Sequence, residues 1–167
     1  AAELFGDDED ASAPAPDATI DFALTHAMQG LDGVAAVEAA LASGEPYAVA
    51  FIDVRMPPGI DGKETATRIR KLDPNINLVI VTGYSDFSPI EIAKAAGPAD
   101  KIFYIAKPFE VAEVTQMATA LAHRWRGDRE LAEARETLAA QVVQLQEQGH
   151  ELAANESRAI HMANHDS

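Results

Sequence analysis

The chain has 167 residues, of which 47% are hydrophobic, so it is long enough for one ordinary domain with a real core and an additional segment. Its formal net charge is −14, from 27 acidic and 13 basic residues, which argues against binding to nucleic acid, because affinity for the phosphate backbone is carried by lysine and arginine. Cysteine is absent and no apolar run approaches the roughly 20 residues of a membrane helix, so disulfides are excluded, no membrane span is predicted in this segment, and a cytoplasmic location is favoured.

The first 18 residues have a composition unlike that of a buried element. Residues 6–10 form an acidic run, and residues 11–16 consist of alanine, serine and proline. Such composition is typical of a disordered segment or a solvated loop. We therefore assign residues 1–18 to an acidic, proline-rich linker that precedes the domain.

Residues 19–27 alternate between apolar and polar side chains. Ile20, Phe22 and Leu24 fall on one face of an extended chain, and polar residues fall on the other. This period of two predicts a β-strand.

Three segments carry helix signals at their ends. Residues 30–43 have valine and leucine at three- and four-residue steps, and Gly44 follows as a stop signal. Residues 62–72 come after Asp61, which we expect to cap them. A third helix begins at residues 88–91, where Ser-Pro-Ile-Glu has the form of a capping box with proline at the first helical position.

Three further apolar runs are too short for most helices and suit strands that are buried in a parallel sheet. They cover residues 49–53, 77–83 and 101–109. The carboxyl ends of these strands carry Asp53, Thr82 and Lys107, which we expect to converge on one edge of the sheet. A carboxylate beside an ammonium group and a hydroxyl is what phosphoryl transfer to aspartate requires, because the carboxylate attacks phosphorus and the donors bind the transferred oxygens.

These motifs together resemble the receiver domain of two-component response regulators. The resemblance covers roughly residues 20–126 and is carried by three motifs: Asp-Val-Arg-Met-Pro with a following Asp-Gly at residues 53–62, the strand-final Thr82, and Lys-Pro-Phe at residues 107–109. Each motif is weak alone, but their order and spacing are specific. The resemblance implies a flavodoxin-like, doubly wound α/β fold.

The resemblance also implies a role for individual residues. Asp53 would be the phosphoacceptor for a histidine kinase, Thr82 the switch hydroxyl, Lys107 the lysine that contacts the phosphate, and Tyr104 the switch aromatic. It implies Mg²⁺ as well, held partly by Asp53 and by the main-chain carbonyl of Arg55. These oxygen ligands suit Mg²⁺.

One feature of the family is not found. A receiver opens with an apolar strand that ends in two acids and completes the Mg²⁺ site, and a helix follows. Asp7 and Asp8 are poor substitutes, because the residues before them make a weak strand and a proline-rich segment follows them. We therefore expect a receiver that lacks its first strand and helix, with Mg²⁺ weakly bound or absent and the backbone of the Asp53 strand left unpaired.

The remainder of the chain, residues 127–167, has no sign of a second core. Leucine recurs every seven residues, at Leu131, Leu138, Leu145 and Leu152, which predicts a coiled-coil helix that pairs with a second copy. The companion positions are mostly polar, so the homodimer is expected to be weak, and an exposed tail helix without a partner is the alternative. Residues 159–167 resemble the lead-in to a diguanylate cyclase (GGDEF) domain, but no catalytic motif of that family follows within the chain, so this chain is not predicted to be an enzyme.

Three functions are compatible with these residues. The first is a receiver, residues 19–126, that is phosphorylated on Asp53 and relays its state through the C-terminal helix to an output domain. The second is a degenerate receiver that takes no phosphate and acts as a dimerisation scaffold. The third is a phosphohydrolase with an aspartyl nucleophile, which would normally have an acid two residues after the nucleophile, where Arg55 stands.

Overall fold

A computed structural model of the chain describes residues 21–83 and 88–165. The described residues form a parallel sheet with helices before, between and after its strands. The strands are β1 Val49–Asp53, β2 Asn77–Thr82 and β3 Ile102–Ala106, and the helices are α1 Gly30–Ser43, α2 Gly62–Leu72, α3 Pro89–Ala96 and α4 Val111–His165, with a short 3-10 helix at Ala99–Lys101. This α/β architecture confirms the predicted fold class.

The sheet has the order β1-β2-β3, and both pairs of neighbouring strands are parallel. In this register Asp53 lies beside Val81, and Thr82 lies beside Ala106. The carboxyl ends of the three strands therefore meet at one edge of the sheet, which we call the site edge. The opposite edge, where the strands begin, is called the distal edge.

Two apolar layers cover the sheet because the side chains of β2 alternate between its faces. Leu78 and Ile80 point into the larger layer, which α1, α2 and α3 close. Val79 and Val81 point into a smaller layer against α4, to which Leu121 contributes the buried side chain from the helix. Helix α4 thus packs against the smaller of the two layers.

The helix ends follow the local signals of the sequence at most positions. Gly44 ends α1 in the left-handed conformation with a φ of 78°, and Asp61 Oδ1 accepts from the Glu64 N–H at 2.8 Å to cap α2. The predicted capping box before α3 is wrong in one respect. Ser88 occupies the N-cap position, but its side chain makes no capping hydrogen bond.

The strand predicted over residues 19–27 is also wrong in its described part. Residues 21–27 have no regular secondary structure, and Leu24 is 91% exposed. An alternating pattern becomes a strand only where a neighbouring backbone pairs with it, and among the described residues β1 pairs with β2 alone. Residues 1–20, including the predicted linker, lie outside the described part of the chain.

The distal edge is tied together by the buried guanidinium of Arg70. This side chain, on α2, donates to the carbonyl oxygens of Ala96 at 3.0 Å, Ile76 at 2.7 Å and Lys101 at 3.0 Å. Burial lowers the pKa of Arg70, and the charges of Asp73 and Asp100 oppose that shift. One side chain therefore joins α2 to the end of α3 and to the starts of β2 and β3.

Helix α4 has 55 residues and extends far past the domain. The leucines of the predicted stripe are all exposed, from Leu131 at 52% to Leu145 at 66%. The helix predicted from residue 111 to beyond residue 152 is confirmed, whereas its pairing with a second copy stays a prediction. Among the helices in residues 21–83 and 88–165, none combines the length and the apolar character needed to cross a membrane.

Candidate functional site

Asp53 and Lys107 meet at the site edge. Asp53 is the last residue of β1, and Lys107 directly follows β3. Although β2 lies between these strands, Lys107 Nζ forms a short ion pair with Asp53 Oδ2. The Lys107 side chain therefore reaches across the end of β2, where Thr82 stands.

The second carboxylate oxygen of Asp53 is also bonded. Asp53 Oδ1 accepts from the main-chain N–H of Arg55 at 3.1 Å. Partial burial raises the pKa of Asp53, but the hydrogen bond and charge of Lys107 together with the N–H of Arg55 outweigh it and hold the pKa below its ordinary value of 3.8. Asp53 is consequently a carboxylate at neutral pH, the form that a nucleophile requires.

Thr82 occupies the end of the central strand. It is half-buried, and its main-chain carbonyl accepts from the Lys107 N–H at 2.8 Å. This backbone bond fixes the point at which Lys107 leaves the sheet. Thr82 itself lies one residue beyond the partner of Asp53 on β2.

Tyr104 stands on β3, and its side chain reaches the start of α3. Its O–H donates to the carbonyl of Pro89 at 2.7 Å, and burial raises the pKa of this phenol. Pro89 is the first residue of α3, so Tyr104 holds the far end of the connection that begins after Thr82. Residues 84–87 of that connection lie outside the described part of the chain.

The loop after Asp53 is held close to the strand by Gly62. A Cβ placed on Gly62 would lie 2.7 Å from Val54 Cα, a distance that real side chains do not adopt. The Gly62 N–H donates to the Val54 carbonyl at 3.0 Å. Glycine is thus required where α2 begins, because a side chain there would meet the backbone of Asp53 and Val54.

The described part of the site edge offers few ligands for Mg²⁺. In residues 21–83 and 88–165, no group of three or more His, Cys, Asp or Glu side chains could hold a metal ion. Asp53 and the Arg55 carbonyl are oxygen donors of the kind that Mg²⁺ prefers, and Mg²⁺ often keeps several waters beside one or two carboxylates. The fit of the described donors is therefore partial.

Some features of the site have no signal in the sequence. The Arg55 N–H that bonds Asp53 belongs to the main chain, and the bond from Tyr104 to Pro89 depends on how α3 sits on β3. By contrast, the need for Gly62 could have been suspected from the Asp-Gly pair that opens α2.

Comparisons with known proteins agree on the type of domain. The model of the response regulator receiver domain family matches residues 7–119. Sporulation initiation phosphotransferase F of Bacillus subtilis is 29% identical over 87 residues, which are 52% of this chain and 65% of that protein. The transcriptional regulatory protein TctD of Salmonella typhimurium is 34% identical over 96 residues, which are 58% of this chain and 40% of that protein.

The chain therefore spans less than two thirds of the length of these two relatives. Among solved structures, the adenylate cyclase from Rhodopirellula baltica is similar to this fold with a TM-score of 0.56 and 22% identity, over 68% of this chain and 81% of that one. At this level of identity the likeness concerns the fold alone.

Proposed function

The chain belongs to the response regulator receiver domain family, and we propose that it is a phosphorylation-driven signalling module that accepts a phosphoryl group on Asp53 from a histidine kinase. The observation that carries the proposal is the ion pair of Lys107 with Asp53 at the site edge. A carboxylate kept ionised beside an ammonium group is poised to attack phosphorus.

The chemical step follows from these groups. One carboxylate oxygen of Asp53 attacks the phosphorus of a phosphohistidine, the P–N bond breaks, and the imidazole leaves with its electron pair. Lys107 remains beside the transferred group, where its ammonium stabilises negative charge on the phosphoryl oxygens. The Thr82 hydroxyl, at the end of the neighbouring strand, is proposed to donate to another of these oxygens.

Receiver domains generally bind Mg²⁺ at the phosphorylation site. In this chain the carboxylate of Asp53 and the main-chain carbonyl of Arg55 are the residues proposed to hold it. When bound, Mg²⁺ supplies positive charge to the oxygens of the transferred group. The attack on phosphorus and the hydrogen bonds to the transferred group come from Asp53, Lys107 and Thr82.

Tyr104 is proposed to transmit the effect of phosphorylation from the site edge to α3. A hydroxyl drawn toward the phosphoryl group at Thr82 would displace the connection between β2 and α3. Tyr104 holds the far end of that connection through Pro89, so its hydrogen bond responds to the displacement. Phosphorylation of Asp53 would thus shift the balance between two arrangements of Tyr104 and the start of α3.

Helix α4 is proposed to carry this state to an output domain, in a weak homodimer formed through the leucine stripe. The proposal draws on the exposure of all four leucines, which a paired helix would bury. A diguanylate cyclase-type output and a cytoplasmic location are part of the same proposal and are supported by the sequence alone.

The test is phosphoryl uptake from acetyl phosphate in the presence of Mg²⁺, followed by intact-protein mass spectrometry. We expect the parent chain to gain one phosphoryl group and the Asp53→Asn variant to gain none. Asp61→Asn is the matched control, because it changes an acid on the same loop and asparagine still caps α2. Absence of uptake in the parent would reject the proposal and favour the scaffold.

A further inference from the structure

A pair of buried polar atoms lies where α4 crosses the distal edge. Asn77, the first residue of β2, is fully buried, and within the described residues its Oδ1 has no hydrogen-bond partner. The indole Nε1 of Trp125 is likewise buried without a partner. One atom is an acceptor and the other is a donor, so each could satisfy the other.

The contacts of Asn77 bring this acceptor against α4. Its Nδ2 donates to the carbonyl of Leu121 at 3.0 Å, on the helix, and to the carbonyl of Ala48 at 3.3 Å, before β1. Trp125 follows Leu121 by one helical turn. Residues four apart share one face of a helix, so Trp125 is on the same face as Leu121, whose carbonyl Asn77 contacts.

Other polar contacts fasten the same stretch of the helix. Arg124 pairs with Asp100 at 2.9 Å, and Asp128 pairs with Lys101 at 3.3 Å. Beyond Leu121, the buried residue of α4, these polar contacts tie the helix to the residues just before β3. Such groups fix a rotation more narrowly than an apolar contact, because hydrogen bonds are directional.

We propose that the indole N–H of Trp125 donates to Asn77 Oδ1, directly or through one buried water, and that this bond sets the rotation of α4 where the helix leaves the domain. The direct bond requires a change in the roll of the helix, whereas a water between the two atoms would bridge them without one. Trp125 and Asn77 are then positioning residues for the leucine stripe. The inference does not depend on phosphorylation of Asp53.

The direct test measures the position of α4 relative to the domain as a distance between two spin labels. Because the chain has no cysteine, spin labels on Lys71→Cys and Ala140→Cys would be unique, and both positions are exposed. Pulsed electron paramagnetic resonance, with labelled protein diluted in unlabelled chain, gives the distance within one molecule. We expect one narrow distribution in the labelled parent, and a shifted or broader one in both Asn77→Leu and Trp125→Phe.

The matched control is Ile92→Val, which trims a buried side chain in the layer that α4 does not touch. It should lower stability and leave the distance unchanged. If Trp125→Phe, which keeps an aromatic ring, leaves the distribution of the folded protein unchanged, the inference is overturned. This variant keeps the test valid even if Asn77→Leu does not fold.

A double-mutant cycle gives a second readout. Unfolding midpoints are followed by circular dichroism for Asn77→Leu, Trp125→Phe and the double variant. If the two residues share a bond, the midpoint of the double variant should fall by less than the sum of the decreases in the two single variants. Decreases that are fully additive would contradict the bond. Asn77→Leu with Ile92→Val is the control, since Ile92 packs in the other layer and the two effects on stability should add.

Discussion

At the scale of single residues, the site is a carboxylate whose charge is maintained by its neighbours. The approach of Asp53 to Lys107 could be predicted, because both residues end apolar runs of a parallel sheet. The bond from the Arg55 N–H to Asp53 could not, because it depends on the turn of the main chain after the strand. Sequence patterns identify candidate side chains in a site. They do not identify the main-chain N–H groups that bond to those side chains, because the positions of these groups depend on the folded loop.

Lys107 is one of the groups that lower the pKa of Asp53, against the opposing effect of burial. The pKa of Asp53 lies below its ordinary value, so the stabilisation from its charge is present above that ordinary pKa and is lost as the pH falls through the folded pKa. Replacing Lys107 with methionine removes the ammonium and should raise the pKa of Asp53. The check is a carboxyl carbon titration by nuclear magnetic resonance, with Lys63→Met as the control for loss of a half-buried charge near the same loop. An unchanged pKa in Lys107→Met would contradict the role of the ion pair.

At the scale of elements, local sequence signals predicted the positions of the helices correctly, but the strand predicted from residue 19 to residue 27 is wrong in its described part. Helices α1 and α2 begin and end where the sequence predicts, because glycine at 44 and aspartate at 61 act through nearby backbone groups. Residues 21–27 carry a strand pattern but lack a described neighbour with which to pair. A helix makes its backbone hydrogen bonds within its own segment, whereas a strand needs a neighbouring strand to make them.

Gly62 is the glycine whose replacement should matter most to the site. Gly62→Ala should lower the free energy of unfolding by about 1–3 kcal/mol, because the new Cβ meets the backbone of β1 and pushes α2 away from it. Gly149→Ala is the contrast, since a Cβ there has nothing within 4 Å. That variant should gain up to about 1 kcal/mol in helix stability. Urea unfolding measures both, and equal effects at the two glycines would contradict the close approach at Gly62.

At the scale of the whole molecule, the order of strands and helices follows from the sequence, but the attachment of α4 does not. Asn77 contacts Leu121 across a separation of 44 residues, and no motif marks either residue as a partner of the other. The helix itself could be predicted from its heptads, while its position on the sheet involves the hydrogen bond from Asn77 Nδ2 to the Leu121 carbonyl. Long-range polar pairs of this kind leave no periodic signal.

The leucine stripe should hold two copies of α4 together weakly. Each leucine contributes roughly 1.5–3 kcal/mol when fully buried and less on a coiled-coil seam, and polar companion positions oppose the pairing. Leu138→Asn combined with Leu145→Asn should therefore shift the parent from a concentration-dependent dimer to a monomer in sedimentation experiments. Thr137→Asn with Gln144→Asn is the matched control on neighbouring positions. Equal masses of parent and leucine variant across a wide concentration range would contradict pairing through this stripe.

The proposed phosphoacceptor can be located directly by chemical trapping. An acyl phosphate on aspartate is reduced by borohydride to homoserine, so peptide mass spectrometry after treatment with acetyl phosphate and Mg²⁺ identifies the modified position. We predict homoserine at Asp53, and loss of that signal in Lys107→Met if the ammonium stabilises the transfer. Homoserine at another aspartate such as Asp61, or at none, would contradict the assignment of Asp53.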